Sequence, residues 1–133
     1  MASTATVTIA FPNPNHIVFS GTTTRVHPHG HLWLVNDSNG VVINFEILTA
    51  GYTFNDGGVG NPKQAFFTSS NPNPVAFDPC GGEFTNLMLL AGNTEFSVTV
   101  ANANGQKYFY QFNFIEPTGA LVSTTDPIIV NRG

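Results

Sequence analysis

Polar and apolar residues alternate along most of this chain, and glycine, proline and asparagine interrupt the alternation at short intervals. Over residues 5–11, Val7, Ile9 and Phe11 share one face and Thr6 and Thr8 the other. That period of two belongs to a half-buried strand. The FPNPN that follows stops it, because proline has no N–H to donate to a ladder. Ile17 and Phe19 carry a short second strand, Ser20-Gly21 a turn, and residues 22–26 a β-branched third strand. Residues 31–35 are apolar on both faces, the pattern of a central strand. Residues 41–48 alternate cleanly, with Val41, Ile43, Phe45 and Ile47 inward and Asn44 and Glu46 outward. The turn-rich residues 36–40 between these two strands predict a hairpin.

Residues 51–79 break the pattern. NDGGVGNP, SSNPNP and FDPCGG surround one short strand at 64–68. Irregular stretches of this length are often functional or mobile loops; the preferred reading is a surface excursion with its Phe residues tucked under it. Regularity returns with an apolar strand at 84–90 and an alternating one at 94–101, where Phe96, Val98 and Val100 share a face. Residues 102–105 end in Asn-Gly, the strongest hairpin signal in the chain. The strand at 107–116 follows, with Tyr108, Tyr110, Phe112 and Phe114 on one face and Phe109, Gln111, Asn113 and Ile115 on the other. Residues 128–130 close the chain. With no helical stripe and no internal repeat, the expectation is an all-β, two-sheet Greek-key sandwich of eight or nine strands, one domain over residues 1–133.

Two stretches carry a resemblance. IVFSGTTTRV followed by HLWLVND resembles the strand, Gly-Thr turn and Trp-bearing strand of cupredoxin-like and immunoglobulin-like sandwiches. AGNTEFSVTVANANGQKYFYQF is similar to their late hairpin, where a Gly-rich turn leads to an aromatic strand. The resemblance implies the sandwich fold and stops there. Blue-copper members place Cys, His and Met ligands just after the aromatic strand. Here that strand runs on as QFNFIEP, and Cys80 lies before it.

Composition narrows the function. Charged residues are 9% of the chain, against about 25% in an ordinary domain. Uncharged polar surface of this kind favours a secreted or particle-associated protein. The net charge is −4, and Arg25, Lys63, Lys107 and Arg132 are the cations. That excludes neutralising a row of phosphates, so no nucleic-acid partner is expected. No apolar run is long enough for a membrane-spanning helix. MASTATVTIAFPNP has no basic region ahead of an apolar core, so it does not read as a signal peptide. One cysteine allows no internal disulfide.

The densest chemistry is HPHGH. In an extended strand His27, His29 and His31 would point to one face, about 6–7 Å apart. That is too far for three ligands each held at about 2.0–2.1 Å. A bend at Pro28 and Gly30 would gather two of them, and His16 would have to supply another ligand. Imidazole suits Cu, Zn or Ni. Asp78 and Glu83 flank PCGG as a possible carboxylate pair, and Asp56 in NDGG resembles a fragment of a calcium loop. Cys80 has no base near it in sequence, which fits a small apolar thiol better than a nucleophile.

Trp33, Tyr52, Phe66 or Phe67, and Phe109 are candidates for a sugar-stacking platform or a partner surface. The outward Phe109 and Ile115, with Val42 and Leu48 out of phase in their own strand, are the candidate self-association surface. Alternatively, residues 51–79 fold over Phe109 and Ile115 within one chain, using Phe54, Phe66, Phe67 and Phe77. The function expected is a non-catalytic binding or structural module that recognises a protein partner or forms a homo-oligomer. The alternative is a transition-metal-binding protein that uses the histidines, and an enzyme ranks third.

Overall fold

The computed structural model describes residues 3–13, 16–21, 25–34, 39–103, 105–124 and 127–131. Among them are twelve strands, a single 3-10 turn at Pro62–Gln64 and no α-helix. The strands are β1 (Ser3–Asn13), β2 (His16–Gly21), β3 (Arg25–Val26), β4 (Leu32–Trp33), β5 (Val41–Ile47), β6 (Thr53–Phe54), β7 (Phe66–Ser69), β8 (Phe84–Leu90), β9 (Glu95–Val100), β10 (Lys107–Ile115), β11 (Leu121–Ser123) and β12 (Ile128–Val130). Eight or nine strands is therefore an undercount. β6 and β11 are too short to show a period and exist because they pair with β10. No helix among the described residues is long and apolar enough to cross a membrane.

The strands form two sheets of mixed direction. The first runs β2-β1-β5-β9-β8, with β1 and β5 parallel. The second runs β11-β10-β12-β4-β3, with β6 and β7 on the other edge of β10 and β12 parallel to β4. Their inner faces meet in one core, giving a sandwich-like all-β fold. The Phe112 ring of β10 lies 4.7 Å from Phe45 of the first sheet, 5.1 Å from Phe66 and 5.2 Å from Phe54. The predicted inward sets of β5 and β10 are all buried.

Two expected hairpins are corrected. β4 belongs to the second sheet and β5 to the first, so the link between them crosses the sandwich. The Asn-Gly link likewise joins β9 in the first sheet to β10 in the second. Parts of both turns, at residues 35–38 and 104, lie outside the described residues, as do residues 22–24 of the expected third strand. Both flanking pairs carry apolar inner faces, and packing those faces against each other buries them more fully than edge-to-edge pairing.

The alternative in which residues 51–79 fold over Phe109 and Ile115 is corrected as well. β6, the 3-10 turn and β7 extend the second sheet beside β10 rather than lying over it. Phe54 and Phe66 enter the core, and Phe77 packs partly buried against it. Phe109 is accordingly half-buried and not covered over.

Candidate functional site: a histidine turn and two outer sheet faces

The three clustered histidines sit in the turn joining β3 to β4. The Gly30 N–H donates to the His27 carbonyl at 2.8 Å, and the His27 N–H donates to the His31 carbonyl at 2.8 Å. This is a tight turn closed by a bulge residue in the left-handed region, Gly30 at φ 100°. The segment is thus not extended, and the rings gather. His27 and His29 have centroids 4.8 Å apart, and His27 and His31 5.8 Å apart.

The turn is anchored from three directions. The Phe19 N–H donates to the Pro28 carbonyl at 3.0 Å. The buried Tyr110 hydroxyl donates to the Gly30 carbonyl. The Ile128 N–H donates to Nδ1 of His31 at 3.0 Å. Burial lowers the His31 pKa, and charge on His27 and His29 lowers it further.

These bonds bear on the metal expectation. An Nδ1 that accepts an N–H places the neutral ring's own proton on Nε2. His31 as positioned has no free lone pair to offer, whereas a histidine ligand ordinarily donates its second nitrogen's proton. His27 Nδ1 also accepts, from the His29 N–H at 3.3 Å. His16 lies opposite Asn13 in the first sheet and shares no described ring contact with the other three. Among the described residues no group of three or more His, Cys, Asp or Glu side chains is arranged to hold a metal ion.

The other candidate carboxylates are hydrogen-bonded within the fold. Asp78 Oδ1 accepts the Cys80 N–H at 2.8 Å. Buried Glu83 accepts the Asn102 N–H at 3.0 Å and Nδ2 of Asn131 at 2.9 Å. The two carboxylates are thus committed to different backbone turns. Burial pushes the Cys80 thiol up to about 11, with Asp78 and Glu83 adding to the effect. The Asp56 carboxylate accepts the Gly58 N–H at 2.8 Å, the Gly60 N–H at 3.2 Å and Nδ2 of Asn93 at 3.0 Å. It fastens its loop to the turn before β9.

The outer faces carry the rest. On the second sheet, strand register aligns Arg25, Trp33, Val130 and Lys107 in one row. The next row holds Ile128, Phe109 and Ser69. Arg25 lies over the Trp33 ring at 5.5 Å, and Lys107 over the Phe109 ring at 5.7 Å. Phe67 stands opposite Gln111 on the same face, while Tyr52 and Phe66 are buried. Ile115 is set apart from Phe109 by a polar knot. Gln111 Nε2 and the Ser123 hydroxyl each donate to Asn113 Oδ1 at 2.7 Å.

The first sheet presents Ser20, Thr8, Glu46, Glu95 and Leu90 as one row. Leu48 (59% exposed), Met88 (50%) and Leu90 (42%) flank the acid pair. Val42 lies on this face too, opposite Thr4 and Thr99. Val42 and Leu48 are therefore on the opposite side of the molecule from Phe109 and Ile115. The Glu46–Glu95 pairing was hidden in the sequence, because only the β5–β9 register creates it.

The chain matches no family model and no curated protein.

Proposed function

We propose that this protein is a non-catalytic binding or structural module, built on a Greek-key sandwich of the cupredoxin-like or immunoglobulin-like kind. It recognises a partner, or itself, through the outer face of its second sheet. One observation carries the reading. Trp33, Val130, Ile128 and Phe109 make a continuous half-buried apolar strip on an outer sheet face, with the side chains of Arg25 and Lys107 laid over its rings. Aromatic and arginine side chains are the types that anchor protein contacts. Completing the burial of each large apolar side chain would contribute up to about 1.5–3 kcal/mol.

A Phe109→Lys variant tests the reading. Sedimentation of the wild type should reveal association that the variant lacks, while its circular dichroism stays unchanged. A variant that loses stability without changing size would mean that Phe109 serves only its own fold.

A second reading, a copper- or zinc-binding protein using His27, His29 and His31, is favoured by the ring centroids 4.8 and 5.8 Å apart. It requires His31 to release the Ile128 N–H. Added Cu or Zn should then raise the melting temperature of untagged protein, and a variant with all three changed to Ala should lose that shift.

A further inference from the structure

We infer that the partner of the second sheet's outer face is the first sheet's outer face on another copy of this chain, so that copies stack face to back. This rests on the reading above, in which the second sheet's outer face is a contact surface.

Charge separates the two faces. Arg25 and Lys107 both lie on the outer face of the second sheet and lean over its rings rather than away from them. Glu46 and Glu95 stand directly opposite each other on the outer face of the first sheet. Like charges placed so are destabilising, and the row's other members, Ser20, Thr8 and Leu90, bring no cation to offset them. A face bearing two cations would relieve that repulsion. The apolar parts match as well. Leu48, Met88 and Leu90 project around the acid pair, and Trp33, Val130, Ile128 and Phe109 surround the cations.

The same charges select the mode of contact. Second sheet against second sheet would set Arg25 and Lys107 near their own copies. First sheet against first would set two carboxylate pairs together. Only the face-to-back contact joins opposite signs. Because it uses two different surfaces on opposite sides of the sandwich, it is heterologous. Such contacts propagate into rings or filaments instead of closing as a two-fold dimer.

The test uses two double variants, Glu46→Gln/Glu95→Gln and Arg25→Gln/Lys107→Gln, each with one face neutralised and the other intact. All the changes are at surface positions, and circular dichroism confirms folding. Wild type should sediment as species larger than a dimer. Its association should weaken about tenfold or more between about 0.05 M and about 0.5 M salt, where exposed charges are screened. Each double variant alone should be monomeric. Mixed, they should form a one-to-one pair and nothing larger, since one complementary contact remains and neither end can grow.

A Glu46→Gln/Glu95→Gln variant that assembles like wild type would overturn the stacking. If Phe109→Lys still abolished that assembly, the contact reading would stand without it. A mixture that stays monomeric would also overturn the stacking. A wild type that remains monomeric at high concentration in low salt would overturn the stacking and leave the contact reading only as recognition of a different partner.

Discussion

The hydroxyl of Tyr110, buried in the middle of β10, donates to the carbonyl of Gly30, 80 residues earlier in the chain. This bond holds from within a turn whose His27, Pro28 and His29 are exposed. Burial pushes the Tyr110 pKa well above its ordinary value, so the phenol remains a neutral donor. Tyr110→Phe would leave the buried Gly30 carbonyl without that partner, at a cost of about 1–3 kcal/mol. Urea denaturation should register the loss, and NMR should show changed ring environments at His27 and His29 although neither touches the substituted side chain.

Gly30 is constrained from the other side. A Cβ there would stand 3.0 Å from the Phe19 ring and 3.1 Å from Pro127, at a φ of +100°. Gly30→Ala should destabilise by about 1–3 kcal/mol from backbone strain, with crowding in addition. Gly58, at φ +76°, has nothing within 4 Å of its virtual Cβ. Gly58→Ala should therefore cost less, and paired thermal melts would separate strain from crowding.

Acid should weaken the histidine turn. The folded His31 pKa lies below the ordinary value of 6.5, so the folded chain binds this proton less readily than the unfolded chain. The stability it contributes is fully present above about pH 6.5 and is lost as pH falls through the lowered folded value. Protonating Nδ1 also removes the acceptor used by the Ile128 N–H. In chelator-treated protein the urea midpoint should drop between about pH 7 and pH 5. His31→Asn, which keeps an acceptor but cannot take up the proton, should show a shallower fall. Equal slopes in the two proteins would assign the pH dependence elsewhere.

Asp56 should behave with the opposite sign of charge and the same direction of change. Hydrogen bonds from Gly58 and Asn93 hold its carboxyl below the usual range. Its contribution is present above about pH 4 and is lost as pH falls further. Asp56→Ala should speed hydrogen exchange at the Gly58 and Gly60 amides. Added calcium should leave the wild-type melting temperature unchanged, because the carboxylate already serves three donors.

Cys80 should alkylate slowly. With its thiol pushed up to about 11, the thiolate is scarce at pH 8, and the greater nucleophilicity of a basic thiolate only partly compensates. Iodoacetamide should react at least about tenfold more slowly than with an unfolded peptide thiol. A rate equal to the peptide's would mean that the thiol is neither buried nor opposed by Asp78 and Glu83.

The sequence by itself determined which side of each long strand faces the core. Alternation is a local property of the extended backbone, so the inward sets Val41, Ile43, Phe45 and Ile47 of β5 and Tyr108, Tyr110, Phe112 and Phe114 of β10 were legible without any partner. It also placed Phe109, Ile115, Val42 and Leu48 on outward faces. Tertiary structure decided what those faces belong to. A turn such as Asn-Gly reverses the chain, but whether the flanking strands then pair edge to edge or pack face to face depends on which arrangement buries both apolar sides. Here β4 and β5, like β9 and β10, divide between the sheets. The short strands β6 and β11 arose only because β10 offers them ladder groups. The histidine rings meet because Gly30, Tyr110 and Ile128, drawn from three parts of the chain, hold one tight turn. Glu46 faces Glu95 because the β5–β9 register aligns them. Register is set by the burial of a whole sheet face at once, and no local window of sequence contains that sum.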